Sequence, residues 1–362
     1  MSKHDIAHSE DALGSPSSRG GKGRSCVRHC GRFWWAYVIL VAVIIAIVVP
    51  VVILVAVPKI AQSKLDHAKL TVDGIAVSNT TPNSYTMSIN STLRSDGQVK
   101  ATIAPFSGVM YLEDYEPHTP FVRINFPQTK SVKLQTVNIS QPIQIEDMEA
   151  FTRFNTWVQT NESLRVTIKG DTTVKVSGIS KNYGVTFRNT ITIKGTSSFG
   201  LSNCLQWLTR TGLNGFKGLG VTDSAVSLVP DARGDNFKGR VSIPNPSVLT
   251  LEIGNASFSN LLEGRDIGTV FIDNLVLHPG DNNVSMRANI TQAPVLAAIQ
   301  KRPYCQDGII PFELRGKNVS NGGQRLSYFA DALSVGSVTT NIDIGSTLKQ
   351  SLNLTVACGP AS

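Results

Sequence analysis

An uncharged apolar run constrains what this 362-residue chain can fold into more than any other feature of the sequence. It covers residues 33–57. Twenty-five residues of α-helix rise about 37 Å, which is enough to cross a hydrocarbon core of ~30 Å. Trp34, Trp35 and Tyr37 lie at one end, where amphipathic rings favour the headgroup level. The run therefore predicts one transmembrane helix.

Two alternatives to a membrane span are a buried core helix and a cleaved signal peptide. A core helix of this length and apolarity is unusual, and a signal peptide has a shorter apolar region that ends in a small-residue cleavage site. Ala56-Val57-Pro58 does not fit such a site. The sequence favours a retained span that carries Pro50 as a kink.

The charges that flank the run predict its orientation. Basic residues precede it with no acid among them, whereas the lysines that follow it are interspersed with Asp66 and Asp73. Because cytoplasmic flanks carry the excess of Lys and Arg, we expect a cytosolic N-terminus and type II topology. The basic residues before the run are Arg19, Lys22, Arg24, Arg28 and Arg32, and those after it are Lys59, Lys64 and Lys69.

Sequons on the far side of the span support the same topology. An Asn-x-Ser/Thr sequence becomes a glycan acceptor only in the secretory pathway, so their number predicts a glycoprotein. The nine predicted N-glycosylation sites are Asn79, Asn90, Asn138, Asn161, Asn255, Asn283, Asn289, Asn318 and Asn353.

The N-terminal segment is rich in Gly, Ser and charge, so we expect residues 1–32 to form a disordered cytosolic tail. Cys26 and Cys30 lie beside basic residues just before the span, a setting typical of S-acylation, with unmodified thiols as the main alternative. A metal site is disfavoured because these cysteines and His29 supply three ligands, whereas a structural zinc site needs four. No cofactor is expected.

Beyond the span, apolar and polar residues alternate strictly in several short runs. The alternation is clearest at 237–243, 284–291 and 351–356. A period of two residues with turn signals between the runs indicates half-buried antiparallel strands, as in a β-sandwich. The fold class is therefore predicted to be mainly β.

Two stretches with helical character, 145–159 and 293–301, interrupt the strands. Each follows one set of strands and precedes another, so the order of elements repeats. We predict two tandem fibronectin-like β-sandwiches, each with a short helix, at 66–200 and 220–358. Residues 201–219 would link them.

A Pro/Asn turn leads into an alternating strand with a sequon at 82–93 and again at 245–258, which favours an internal duplication. Asn245-Pro246-Ser247 and the strand after it resemble the late embryogenesis abundant type 2 domain, a small fibronectin-like sandwich. The basic tail, the aromatic-flanked span and two such lumenal domains resemble a family of fungal vacuolar-membrane proteins, that of the autophagy-termination protein. The resemblance implies the vacuole membrane, otherwise the plasma membrane or another endomembrane, and a non-catalytic role.

Three far-side cysteines allow one disulfide and leave one thiol over. Cys305 and Cys358 both lie in the second predicted domain, so this pair is favoured. A bridge between Cys204 and Cys358, or no bridge, are the alternatives.

Chemistry-bearing residues are sparse on the far side. His67, His118 and His278 are separated from one another in the sequence, and no metal-binding or nucleophile-elbow motif occurs there. The acidic cluster at 146–149 fits a helix start better than paired acid–base catalysis. Arg233-Gly234-Asp235 matches an adhesive tripeptide but is interpreted as a chance turn. The sequence therefore predicts no enzyme.

Three hypotheses of different class describe the function. The first is a non-enzymatic, single-pass vacuolar or endomembrane protein that displays its lumenal domains to unknown protein partners, in vacuolar or autophagy regulation. The second is a lipid- or sterol-binding module, marked by a large apolar cavity, and the third is a hydrolase, marked by convergent carboxylates. Nucleic acid is not an expected partner, because the net charge of +8 includes no Lys/Arg block beyond the tail.

Topology is the first testable prediction. Endoglycosidase treatment should lower the apparent mass, and protease added to intact vesicles should remove only the N-terminal tail, because the sequons and the charge bias put the C-terminal bulk outside the cytosol. Gel mobility of a C-terminally tagged chain measures both effects. Full digestion of the C-terminal region in sealed vesicles would contradict the orientation.

Overall fold

The chain divides into two units, Met1–Lys59 and Ile60–Ser362. Its described strands form two sheets, so the predicted mainly β class is confirmed. A computed structural model describes residues 24–67, 69–95, 100–161, 163–194, 218–245 and 247–359.

The described part of the first unit consists of helix. Helix α1 covers Arg24–Val51, a π-helical turn follows at Val52–Ala56, and α2 begins at Val57. The segment from Trp34 onward is long and apolar enough to cross a membrane. Pro50 lacks an N–H and crowds the preceding turn, and the π-helical turn follows directly, with the N–H of Val57 bonded to the carbonyl of Val52.

The helix begins earlier than the predicted span. Residues 24–32, predicted as the end of a disordered tail, form the first part of α1. The helix extends into them because each residue added to an existing helix gains a hydrogen bond at low entropic cost. Cys26 and Cys30 lie in this first part of α1, and their S-acylation stays a prediction. Residues 1–23 of the predicted tail lie outside the described residues.

In its described residues, the second unit holds the end of α2 (Val57–Asp66), the strands and five further helices. The strands are β1 (Lys69–Ser78), β2 (Ser84–Arg94), β3 (Ala101–Ile103), β4 (Phe106–Leu112), β5 (Val122–Phe126), β6 (Thr129–Lys130), β7 (Leu134–Gln144), β8 (Ser163–Val176), β9 (Asn182–Lys194), β10 (Gly220–Val226), β11 (Phe237–Asn245), β12 (Leu249–Leu262), β13 (Arg265–Leu277), β14 (Gly280–Ile290), β15 (Ile309–Asn321), β16 (Gln324–Arg325) and β17 (Ser337–Asp343). The helices are α3 (Met148–Thr160), α4 (Gln292–Ile299), α5 (Tyr304–Asp307), α6 (Ser327–Ser334) and α7 (Ile344–Leu352).

The larger sheet contains strands from both predicted domains. Its order is β10-β11-β14-β13-β12-β1-β2-β7, and β15 adds to β12 and carries β16 and β17. The smaller sheet has the order β5-β4-β8-β3-β6, with β9 on β8. Strands predicted for 66–200 thus divide between two sheets, and those described within 220–358 all lie in the larger one. The domain boundaries stay predictions, and 201–217 lie outside the described residues.

The two strand sets join where β1 pairs in parallel with the start of β12, from Ile75 opposite Leu249 to Val77 opposite Leu251. Buried Asn245 shapes the entry to β12, because its side chain donates to the carbonyl of Leu249 (2.7 Å) and accepts from the N–H of Ser247 (3.0 Å). The Asn-Pro-Ser motif therefore has a structural role as an Asx-turn.

Polar contacts fasten this junction. The carboxylate of Glu252 on β12 accepts from the backbone N–H of Asn79 (2.6 Å) and from the side chain of Asn321 on β15 (3.0 Å). The buried hydroxyl of Tyr328 on α6 donates to the carbonyl of Thr81 (3.0 Å), and burial raises the pKa of this phenol. The Glu252 carboxylate thereby ties β12 to β15 and to the residue that follows β1.

Aromatic packing between α3 and α6 lies behind the junction. The ring centroid of Phe151 is 5.0 Å from that of Tyr328 and 5.5 Å from that of Tyr85. Phe154 stacks on Phe121 at 5.0 Å. Such pairs each contribute about 0.5–1.5 kcal/mol beyond the area they bury, so the cluster holds both strand sets in one core.

The end of α2 attaches to the smaller sheet. Gln62 donates to the carbonyl of Thr186 (2.9 Å) and accepts from its N–H (3.0 Å), so one side-chain amide replaces the missing neighbour strand at β9. Ala61 and Leu65 pack against a small core at Val174 and its neighbours. The segment that follows the apolar helix is therefore part of the β-rich unit.

The predicted helix over 145–159 is α3. Asp147 caps it by accepting from the N–H of Ala150 (2.7 Å), so the helix-start interpretation of the acidic cluster is confirmed. The helix predicted at 293–301 is α4. The predicted strand at 351–356 is wrong, because α7 continues to Leu352 and no strand follows it in the described residues. Asp343 caps α7, and its 3.6-residue period buries Ile344 and Leu348.

A disulfide closes the C-terminal part of the second unit. Cys305 and Cys358, the pair favoured from the sequence, are bonded with their Cα atoms 5.0 Å apart. Cys305 lies in α5, which follows α4 closely. Cys204 lies outside the described residues.

Stability should depend on this bridge. Cys305→Ala opens a loop with a sequence separation of 53 residues. The chain-entropy model then predicts a loss of about 4 kcal/mol in the free energy of unfolding, measurable by urea denaturation of the full-length protein. Cys204→Ala is the control and should leave the midpoint unchanged. Peptide mapping that finds both Cys305 and Cys358 as free thiols would contradict the prediction.

Candidate functional site

An apolar cavity lies where the larger sheet curls on itself. Strands β10 and β17 contact each other at the two ends of the path β10-β11-β14-β13-β12-β15-β17, and the hydroxyl of Thr340 donates to the carbonyl of Leu219 (3.3 Å). Helices α4 and α7 complete the walls. The cavity volume is about 90 Å³. It is lined by Val221, Val226, Leu228, Asn236, Phe237, Asn260, Val270, Met286, Ala288, Ile290, Gln292, Val295, Leu296, Phe312, Leu314, Thr340, Ile342, Ile344, Thr347, Leu348, Leu352 and Leu354.

Exposed leucines mark the mouth of this cavity. Leu228, Leu296 and Leu354 all line it, yet they are 58%, 36% and 46% exposed. They come from the segment after β10, from α4 and from the segment after α7. Because each reaches both the cavity and solvent, the three define an apolar rim through which a ligand would pass.

The C-terminal segment forms one side of the rim and is held in place covalently. Leu354 lies four residues before Cys358, whose disulfide to Cys305 fixes the segment beside α5. The N–H of Gly359 donates to the carbonyl of Gln300 at the end of α4 (2.9 Å). The predicted disulfide therefore positions a wall of the cavity.

Most polar side chains that line the cavity are paired. Asn236 donates to the carbonyl of Ile290 (2.7 Å) and accepts from its N–H (2.9 Å). Gln292 donates to the carbonyl of Ser227 (2.7 Å), and the Thr347 hydroxyl donates to a backbone carbonyl of α7's first turn (2.7 Å). Among the described residues that line the cavity, none is charged.

Asn260 differs from the paired polar side chains that line the cavity. Its side-chain oxygen Oδ1 is buried and has no hydrogen-bond partner within the described part of the chain, and the residue is 5% exposed. The residues opposite Asn260 in the neighbouring strands are Gly268 on β13 and Leu314 on β15, and neither side chain can donate. A side chain at Gly268 is excluded, because a Cβ there would lie 2.0 Å from the carbonyl oxygen of Asn289.

The cavity and the unpaired oxygen of Asn260 both reduce the free energy of unfolding. Space that no side chain fills forfeits the packing contacts of the atoms around it. An unsatisfied buried acceptor costs a further ~1–3 kcal/mol. Two costs at one place point to a binding site, since local rules are broken chiefly where function requires it.

The sequence holds a signal for Asn260 that the search for chemical motifs did not include. In the second half of β12 the inward positions are Ala256, Phe258, Asn260 and Leu262. A polar residue at an inward position of an alternating strand is the departure that marks the site.

The sequence-predicted chemical residues lie elsewhere and contact local backbone. The ring of His67 donates to the carbonyl of Ser63 (2.6 Å), and that of His118 to the carbonyl of Glu113 (3.1 Å). The backbone N–H of His278 donates to Oδ1 of Asn282 on β14 (2.8 Å). Across the described ranges, no group of three His, Cys, Asp or Glu side chains could hold a metal ion.

The Arg-Gly-Asp tripeptide has its acid turned inward. Asp235 is 1% exposed at its side chain, and Nη1 of Arg287 lies 3.0 Å from its Oδ2. Asp231 closes the turn by accepting from the N–H groups of Arg233 and Asp235. A bond from Lys238 and these N–H donors hold the pKa of Asp231 at about 2. The acid of the tripeptide is thus unavailable to a partner.

The predicted glycosylation sites lie mainly on the surface. The two half-buried ones are Asn161 and Asn318. Asn90 and Asn138 lie directly opposite each other on β2 and β7. Their modification stays a prediction. The exposed ones are Asn79, Asn90, Asn138, Asn255, Asn283, Asn289 and Asn353.

The fold and the site together define a β-rich domain with an apolar cavity, preceded by a helix able to span a membrane. Residues 119–260 match the model of a family described as a protein of unknown function (DUF3712). The match extends across the predicted linker and ends at Asn260. No curated protein matches this chain.

Two solved structures that this chain is similar to are distant from it. A protein from Archaeoglobus fulgidus is 6% identical, with 36% of this chain and 97% of that chain covered and a TM-score of 0.22. A bacterial adhesin from Mobiluncus mulieris, containing intramolecular disulfide, isopeptide and ester bond cross-links, is 9% identical, with 76% and 97% covered and a TM-score of 0.19. Scores this low carry no argument about function.

Two asparagines that line the cavity should respond oppositely to the same substitution. Asn260→Leu removes an unsatisfied acceptor and fills space, so the free energy of unfolding should rise by about 1 kcal/mol or more. Asn236→Leu is the matched control. It leaves the backbone groups of Ile290 unpaired and should lower stability by ~1–3 kcal/mol. Urea denaturation measures both, and a loss of stability in Asn260→Leu would show that Oδ1 is paired.

Proposed function

We propose that this protein is a single-pass membrane protein with a cytosolic N-terminus, whose β-rich domain binds a neutral hydrocarbon chain. The observation that carries the proposal is the apolar cavity, walled by the curled sheet with α4 and α7 and rimmed by exposed leucines. It favours the lipid-binding hypothesis over the protein-display hypothesis.

The size of the cavity selects among apolar ligands. An engineered cavity of about 150 Å³ binds benzene, and sites for drug-sized molecules are usually ~300–1,000 Å³. At about 90 Å³ the cavity suits a stretch of a single chain and is too small for the fused rings of a sterol. The remainder of a longer ligand would lie along the leucine rim.

The lining also limits the charge of the part that enters. An ionised carboxylate or phosphate would lose its hydration without gaining a cation, because the described lining residues are uncharged. The buried segment of the ligand is therefore neutral. A membrane next to the domain would supply such chains.

Orientation, glycosylation and compartment belong to the same proposal. The basic flank before the apolar helix and the sequons after it support a lumenal or extracellular β-rich domain. The resemblance to the fungal vacuolar-membrane family supports the vacuole membrane, and the proposal is non-catalytic. Display to protein partners in vacuolar or autophagy regulation stays a prediction.

Photo-crosslinking tests the proposal. The full-length protein in lipid nanodiscs is exposed to a fatty-acid methyl ester that carries a diazirine on its chain, then irradiated and mapped by mass spectrometry. Label should attach to peptides from β14, β15 and α7. Val295→Phe fills the cavity from α4 and should reduce this label at least tenfold.

The matched control is Val132→Phe, the same substitution at an exposed position outside the cavity lining. It should leave the label unchanged. Circular dichroism confirms that both variants fold. Label confined to the apolar helix, or label on β14 and β15 that survives Val295→Phe, would refute the proposed ligand site.

A further inference from the structure

We propose that Oδ1 of Asn260 accepts a hydrogen bond from a hydroxyl group of the bound ligand. The cavity would then select a neutral hydrocarbon chain that carries a hydroxyl at the end that enters first. This inference rests on the proposed function and specifies the chemical class of its ligand.

The unpaired oxygen is what points to a ligand. Asn260 lines the cavity, is nearly fully buried, and its Oδ1 has no partner among the groups that the structure describes. Neither strand neighbour can supply one, since Gly268 and Leu314 have no side-chain donor. A donor must therefore come from whatever fills the cavity.

The chemistry of the oxygen limits the donor. A carboxamide oxygen accepts and cannot donate, so an ether, an ester or a plain hydrocarbon leaves it unsatisfied. A cationic amine could donate, but its charge would be buried among uncharged lining residues without an anion. A hydroxyl donates one hydrogen bond and carries no charge, which satisfies both conditions.

The position of Asn260 sets the orientation of the ligand. Asn260 is buried, whereas Leu228, Leu296 and Leu354 at the rim are exposed. A chain whose hydroxyl reaches Asn260 would leave its apolar length against these leucines. The hydroxyl end enters first, and longer chains extend toward solvent or the membrane.

Two isomeric ligands distinguish the contribution of the hydroxyl to affinity from that of the hydrocarbon. 1-Heptanol and 1-methoxyhexane have the same atoms, but the ether has no donor. Equilibrium dialysis of each radiolabelled compound against the full-length protein in nanodiscs, with empty nanodiscs subtracted, gives the two dissociation constants. Wild type should bind the alcohol about tenfold more tightly, a difference of about 1.4 kcal/mol.

Asn260→Leu should reduce this preference to within about twofold. Because leucine also takes up part of the cavity, the ratio of the two dissociation constants is the quantity compared. Thr340→Val is the matched control, because the Thr340 hydroxyl also lines the cavity but already donates to the carbonyl of Leu219. It should keep the tenfold preference. Val295→Phe should weaken binding of both compounds.

The outcomes distinguish the two proposals. Equal affinity of wild type for the two isomers, with both lost in Val295→Phe, overturns the hydroxyl assignment and leaves the hydrocarbon site standing. A preference that persists in Asn260→Leu overturns the assignment as well. Binding of neither isomer above empty nanodiscs overturns the assignment and the proposed function together. The wild-type comparison decides even if Asn260→Leu fails to fold.

Discussion

The parallel pairing of β1 with the start of β12 is the constraint on which the rest of the β-rich unit depends. It puts two sets of strands, far apart in sequence, into one sheet. At this junction of β1 and β12, the carboxylate of Glu252 accepts hydrogen bonds from Asn79 and Asn321, and Tyr328 packs on Phe151 behind it. Without this junction, α3 and α6 would each expose an aromatic face.

β12 connects this junction to the cavity. Its first residues pair with β1, and its later residues pair with β15 and carry Asn260. The strand can serve both ends because Gly254, at φ +88°, interrupts the regular register between them. A side chain there would meet the carbonyl of Ser320 at 2.5 Å, so the change of partner depends on a glycine.

The cavity is a region where the core is less stable than a filled and fully paired core would be. The walls are assembled from β10–β15, β17, α4 and α7, and the disulfide fixes the last segment against α5. Within this well-connected frame, an empty volume and an unpaired Asn260 oxygen remain together. A bound hydroxyl-bearing chain would fill the cavity and pair the Asn260 oxygen at once. Binding would then offset the stability that the two features cost.

The sequence by itself determined the elements and left their arrangement open. The apolar run specifies a span-length helix, and alternation or 3.6-residue spacing specifies most strands and α3, because local periodicity fixes which face is buried. Alternation does not say which strand pairs with which, so the junction at Leu249 could not be foreseen. The 351–356 run satisfied a strand pattern, yet its first two residues end α7, whose cap at Asp343 and buried Leu348 stabilise a helix there. Asn260 was singled out only by the tertiary structure, which sets it between Gly268 and Leu314, neither of which has a side-chain donor.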